Sequence, residues 1–405
     1  MKKNNLESGQ KLDATIDSIT SSLRLLDDAS DWNVVVRKVV VIVSASRSGS
    51  SLLYQALLKS KDVIAPAGEN EPWLFLTKNK FPFIHSDAIE QINDLPLLLK
   101  LMRNDLLVRE EKVDRRELLD LLWNRLTVRQ EKDQLRKLAE IEASSESKMM
   151  TVKDAAVVLS ILQKSALPSN TYTAQDYLSI ENPPHIIQPH ARRATIEELG
   201  LKTILFKSPS DAYRPGFYET LFPNAEITYV HLTRGFAQTV NGLMDGWMKN
   251  EIDFISNPIG EYAPKLQIGD YSLSDMTKRY WCFDLFPNWE KYTHASLVEV
   301  CAQQWLQAHA SILEHFPNAP KIQFESFYTE RDQFIKAVKQ HTDISIESYD
   351  WDKKVMVTEE PKPFRWMKRE SIFRHLSDHL DAATLKKVTA LQQKLGYSME
   401  ETTWH

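Results

Sequence analysis

Residues 34–51 read VVVRKVVVIVSASRSGSS, and this stretch decides the fold. Its first ten residues, Val34–Val43, are β-branched apart from Arg37 and Lys38, the composition of a strand buried on both faces. A small-residue loop follows at Ser44–Ser51, and the chain from about Ser51 to Ser60 reads as a helix. Strand, Ser/Gly loop and helix in that order make a nucleotide-binding βα unit, in which backbone N–H groups and the helix N-terminus face an anion.

The loop departs from the standard phosphate loop, GxxxxGK followed by Ser or Thr. There the backbone cradles the phosphates, the lysine reaches the β and γ groups and the hydroxyl holds magnesium. Only Gly49 and Ser51 match; Ser44 replaces the first glycine and Ser50 the lysine. A kinase or ATPase without that lysine loses its main contact with the terminal phosphates. Arg47 enters the loop instead, with Ser48, Ser50 and Ser51 supplying hydroxyls beside the helix N-terminus. That set suits one terminal anion held by backbone donors and a guanidinium fork. It also suits a serine-rich helix cap with a solvated arginine.

Downstream, the pattern of short strands and helices resumes after residue 197. KTILFKSP, AEITYVHLTR and KIQFESF read as strands; Tyr213–Leu221, Phe236–Trp247 and Ser296–His315 read as helices. Such alternation predicts an α/β fold with a mainly parallel sheet covered by helices. Between about residues 84 and 197 long charged helices are expected, a helical insertion that returns to the core through the Pro/His-rich IENPPHIIQPHARRA. Upstream, residues 11–30 carry Leu12, Ile16, Ile19, Leu23 and Leu26 at helical spacing. The expected organisation is an N-terminal helical extension over 1–33 and one domain over 34–405 containing the insertion.

The bulk composition sets limits on partners. With 405 residues, 42% hydrophobic and 26% charged, the chain can bury a full core, which excludes general disorder. A net charge of −5 gives no global attraction to nucleic acid or anionic membrane, so any anion site is local. Cys282 and Cys301 stand apart, with no metal-ligand spacing, and read as buried small hydrophobes. No stretch approaches the length of a membrane span and no secretory signal is read, so a cytoplasmic location is expected.

SASRSGSSLL resembles the donor loop of sulfotransferases, especially the RSGSS form of the carbohydrate and tyrosylprotein types. A second block, LFKSPSDAYRPGFYETLFPNAEITYVHLTRGFAQTVNGL, is similar to the family's lysine–Ser/Thr–Pro turn and strand-end arginine. The resemblance implies a sulfotransferase fold, a P-loop-like parallel sheet flanked by helices. It implies 3′-phosphoadenosine 5′-phosphosulfate (PAPS) as donor, adenosine 3′,5′-bisphosphate (PAP) as product, and no metal. It places Arg47 near the bridging oxygen, Ser48, Gly49, Ser50 and Ser51 around the 5′-phosphate, Lys207 near the sulfonate and Arg234 at the 3′-phosphate. Where the family has a serine after that arginine, this chain has Gly242, which leaves Asn241 and Thr239 as alternative donors.

Three further tracts complete the resemblance. QQWLQAHASILEHFPNAPKIQFESFYTERDQF supplies Trp305 and Glu325, read as architectural, and PFRWMKRESIF supplies Arg365, Trp366, Lys368 and Arg369, similar to a late basic segment closing over the nucleotide. GENEPW is similar to the tract that carries a catalytic glutamate: Glu69 fits by spacing and Glu71 by its Glu-Pro context. A hydroxyl acceptor needs such a base as its S–O bond forms. Of His185, His190 and His231, His190 is the best placed to line an acceptor pocket. The insertion would build that pocket, a lid or a homodimer interface, and the acceptor's identity stays open among small-molecule, glycan and lipid-like hydroxyls. The rivals are an ATP-dependent phosphotransferase with a degenerate P-loop and a non-catalytic nucleotide-binding protein.

Overall fold

Val39 to Val43 are buried because the strand that carries them is covered on both faces: Val39, Val41 and Val43 enter one apolar cluster, Val40 and Ile42 another. Full burial of each such side chain contributes about 1.5–3 kcal/mol. The computed structural model describes residues 2–26, 31–66, 68–80, 83–110, 112–144, 148–151, 158, 191–249, 266–273, 276–346 and 364–400.

The strands are β1 (Lys38–Val43), β2 (Val63–Pro66), β3 (Leu106–Arg109), β4 (Lys112–Asp114), β5 (Met149–Thr151), β6 (Ala191–Arg193), β7 (Thr203–Lys207), β8 (Glu226–Thr233), β9 (Gln267–Leu273), β10 (Met276–Tyr280) and β11 (Lys321–Gln323). One seven-stranded sheet runs β11-β8-β1-β7-β2-β3-β6. Its first five strands are mutually parallel, and β3 and β6 extend it antiparallel. The α/β class with a mainly parallel, helix-flanked sheet is therefore the observed architecture. β1 lies between β7 and β8, so the chain reverses its direction of winding about β1. In open sheets of this type the ligand crevice opens at the carboxyl ends of the strands beside that reversal.

Several expected boundaries shift. β1 starts at Lys38, where pairing with Thr203 of β7 and Glu226 of β8 begins; Trp32–Val34 form a 3-10 turn that packs Trp32 edge-on against Phe222. The N-terminal helix, Lys2–Ser21, ends before Leu23 because the following backbone is taken by side chains. Arg24 N–H donates to Asn124 Oδ1 (2.7 Å) and Leu26 N–H to Asn104 Oδ1 (2.8 Å). Leu12, Ile16 and Ile19 enter the main core, so this helix is part of the body. The expected helix at Tyr213–Leu221 begins only at Phe217, since Pro215 and the left-handed Gly216 (φ 73°) break it.

The insertion is not helical throughout. It holds the helices Leu95–Arg103, Arg115–Arg129 and Lys132–Ala143, but also β3 to β6, of which β3 and β6 join the main sheet. β3 and β4 lie between the helices Leu95–Arg103 and Arg115–Arg129, and all four strands are too short for an alternating pattern to stand out. Among the described residues no helix is long and apolar enough to cross a membrane.

Candidate functional site

β1 delivers the chain at Val43 to the carboxyl edge of the sheet, where the Ser/Gly loop turns it into the helix Ser50–Leu57. Ser48 N–H donates to Ala45 C=O (3.3 Å), closing a turn whose third residue, Arg47, has φ 66°. A turn with positive φ at that position favours glycine, so Arg47 occupies it under strain. Gly49 (φ 89°) caps the helix, and a Cβ there would fall inside the van der Waals envelope of the Phe324 ring. Ser44, Ser46, Ser48 and Ser50 are buried and Ser51 is half-buried. The hydroxyls of Ser44 and Ser48 have no hydrogen-bond partner among the described residues, an arrangement that a bound anion would satisfy.

β7 and β8, the neighbours of β1, end on the same edge and bring two more cations there. Lys207, last residue of β7, is buried, and its Nζ donates to Glu69 Oε1 at 2.9 Å. Arg234 follows β8; its Nη1 donates to Arg47 C=O (3.1 Å) and its guanidinium lies 5.2 Å from the Phe324 ring centroid. Phe324 thus packs under both Gly49 and Arg234. Burial pushes the Arg234 pKa down, against the nearby Glu325 carboxylate, which raises it; an arginine stays protonated nonetheless. No carboxylate of the described residues lies within ion-pair distance of it. A half-buried cation of this kind is suited to an anionic ligand.

The turn carrying Arg234 is held by the two residues read as architectural. Trp305 Nε1 donates to Arg234 C=O (3.1 Å), and Glu325 accepts from Gly235 N–H (2.9 Å) and from Tyr397 O–H (2.8 Å). Thr239 is buried, its hydroxyl 3.5 Å from Arg234 C=O.

The late basic segment docks on the helix Phe236–Trp247. Arg365 and Arg369 donate to Asp245 at 2.9 and 2.7 Å, Lys368 pairs with the same carboxylate, and Arg369 also reaches Asn241 Oδ1. Three cations share the Asp245 carboxylate, and Arg365 lies close enough to help lower the Arg234 pKa. Trp366 is turned into the core, edge-on to Phe373, and anchors the segment. Gly242 faces the loop: a Cβ there would stand 3.5 Å from Arg47 Cβ. Gly242 therefore sets this helix in van der Waals reach of Arg47.

Arg47, Ser48, Gly49, Ser50, Ser51, Lys207, Arg234 and Glu69 are brought to one edge, with Asn241, Gly242, Arg365, Lys368 and Arg369 beside them. Glu71 opens the helix Glu71–Leu76, and its side chain lies outside the described residues, as does His190. His231 is buried on β8 against His309 (2.8 Å), and burial holds it near pKa 3, so it is neutral. Sequence reading missed Asp245, Phe324 and Asp284, which Ser46 Oγ reaches at 2.6 Å. None stands in a local pattern; only the fold carries them to the loop.

No family model matches the chain, and no curated protein matches it. Among solved structures it is similar to the sulfotransferase domain from the curacin biosynthetic pathway, at 13% identity and TM-score 0.38 over 90% of this chain and 99% of that one. It is similar to the sulfotransferase domain of the Synechococcus PCC 7002 olefin synthase, at 11% identity and TM-score 0.37 over 93% and 98% of the two chains. Sulfotransferase STF1 from Mycobacterium tuberculosis H37Rv is similar at 10% identity and TM-score 0.33, over 90% and 77%.

Proposed function

We propose that this chain is a sulfotransferase that moves a sulfonate group from PAPS to a hydroxyl of a small-molecule, glycan or lipid-like acceptor. One observation carries the reading: Arg234 bonded to the Arg47 carbonyl and Lys207 bonded to Glu69 lie at the carboxyl edge of one parallel sheet, beside a loop without a P-loop lysine. The donor supplies an activated sulfur joined to a 5′-phosphate and a separate 3′-phosphate. The chain's residues match that division of charge. Ser44, Ser48 and the first N–H groups of the helix Ser50–Leu57 hold the 5′-phosphate. Arg234 and the basic segment tied to Asp245 hold the 3′-phosphate.

Glu69 takes the acceptor hydroxyl proton as the new oxygen–sulfur bond forms and the sulfur–phosphate oxygen bond breaks. Lys207, adjacent to it, and Arg47 stabilise the charge that builds on the sulfonate and leaving phosphate. The loop positions and polarises more than it reacts.

A thermal-shift comparison of PAP, magnesium–ATP and buffer tests the reading. PAP at 100 times its Kd should stabilise the fold by about 2.7 kcal/mol. Stabilisation by magnesium–ATP alone would favour the degenerate phosphotransferase, and PAP binding without sulfonate transfer to any of a panel of labelled-assay acceptors would favour a non-catalytic nucleotide binder.

A further inference from the structure

Arg47, Lys207 and Glu69 each have a sequence neighbour in one buried polar network. Ser46, before Arg47, donates to Asp284 Oδ1 at 2.6 Å. Ser208, after Lys207, donates its N–H to Asp211 Oδ2 at 3.1 Å. Asn70, after Glu69, accepts from Arg214 Nη1 at 3.2 Å and donates to Tyr218 Oη at 3.1 Å. Asp211 gathers the last two arms, accepting from Arg214 Nη1 (3.1 Å) and Tyr218 O–H (2.9 Å). The 3-10 turn Pro209–Tyr213 joins them to the first, because Tyr213 O–H donates to Asp284 Oδ2 at 2.8 Å.

Asp284 is the link between the loop and the rest. It is 4% exposed, and its own backbone is clamped: its C=O accepts from Trp281 Nε1 (3.0 Å) and Gln304 Nε2 (3.3 Å). The next residue, Leu285, donates its N–H to Asp87 Oδ2 (2.7 Å). A carboxylate fits this place because two hydroxyl donors converge on its two oxygens. Burial pushes its pKa up, opposed by the bonds from Ser46 and Tyr213. The turn it holds is the one in which Arg47 adopts a positive φ, a conformation that persists only where surrounding contacts over-determine it.

We infer that Asp284 is a positioning residue: through Ser46 it holds the turn that presents Arg47 to the donor, and through Tyr213 it sets that turn in register with Lys207 and Glu69. The inference rests on the nucleotide reading above. It concerns a residue that touches neither donor nor acceptor.

Calorimetric titration of the full chain with PAP tests it without an acceptor. Ser46→Ala and Asp284→Asn should each weaken PAP binding about tenfold, the worth of one well-placed hydrogen bond. The double variant should lose no more than either single one, because the two act as a unit. Ser46→Thr, which keeps the hydroxyl, should restore wild-type affinity. A scaffold role alone would lower Tm while leaving the Kd of the folded protein unchanged, and that result, or additive losses, overturns the inference. If Asp284→Asn does not fold, Tyr213→Phe takes its place in the cycle, since it removes the other donor to the same carboxylate. Wild-type protein that fails to bind PAP overturns the nucleotide reading and the inference together; wild-type binding with unaltered variants overturns the inference alone.

Discussion

Lys207 Nζ and Glu69 Oε1 stand 2.9 Å apart although 138 positions separate the two residues in the chain. β7 carries the lysine to its carboxyl end, and the segment after the neighbouring strand β2 carries the glutamate to the same edge. A carboxylate and a cation are thereby set side by side. Glu69→Gln, which keeps shape but cannot take a proton, should lower turnover by about 10²–10⁴ and leave PAP affinity unchanged. Steady-state kinetics beside calorimetry would separate the two, and near-normal turnover would remove Glu69 from the mechanism.

Arg47 combines the charge proposed to act on the donor with an unfavourable backbone. Arg47→Gly should abolish sulfonate transfer while leaving stability equal or higher by about 1 kcal/mol, since glycine adopts positive φ without strain. Chemical denaturation and a transfer assay on the same preparation check this. A variant that loses stability would mean that the arginine's packing on Gly242 outweighs the strain it carries.

Gly49 has the opposite requirement. Gly49→Ala must displace the Phe324 ring as well as strain φ, so a loss of about 2–4 kcal/mol is expected. Phe324→Leu in the same chain should recover part of that loss by making room. Urea midpoints of the single and double variants read the result; an unchanged midpoint for Gly49→Ala would show that the ring does not press on the loop.

At the end of the insertion, Glu198 is held by Arg192 through two bonds, at 2.8 and 2.9 Å, and accepts from Thr195 N–H as a helix cap. The Arg192 bond is the main cause that lowers its pKa to about 2. A carboxylate depressed in the folded state stabilises above its unfolded pKa, and that contribution is lost as pH falls through the folded value. Glu198→Gln should therefore cost about 1–2 kcal/mol at pH 7, discounted for partial exposure, and the difference from wild type should shrink between about pH 4.5 and 2. A difference that stayed constant over that range would rule out the ion pair as its source.

The parallel α/β core was legible because its signals are local. A run of β-branched residues, a Ser/Gly loop and an apolar-periodic helix each lie within a few residues of one another, and β1, its loop and its helix follow that order in space. The edges were less legible. β3 and β6 are short pieces that gain stability only from the sheet they extend, and the Trp32 turn is set by packing on Phe222 rather than by the valines that follow.

By itself the sequence determined the central strand, the loop with Arg47 in place of a lysine, and the presence of Lys207 and Arg234 after later strands. Residue chemistry and turn geometry are properties of short segments. Only the tertiary structure decided the partnerships: Glu69 with Lys207, Arg234 with the Arg47 carbonyl, the basic segment with Asp245, and Ser46 with Asp284. The physical reason is that such pairings depend on which strand ends the sheet order places together and which polar groups burial forces to find a partner.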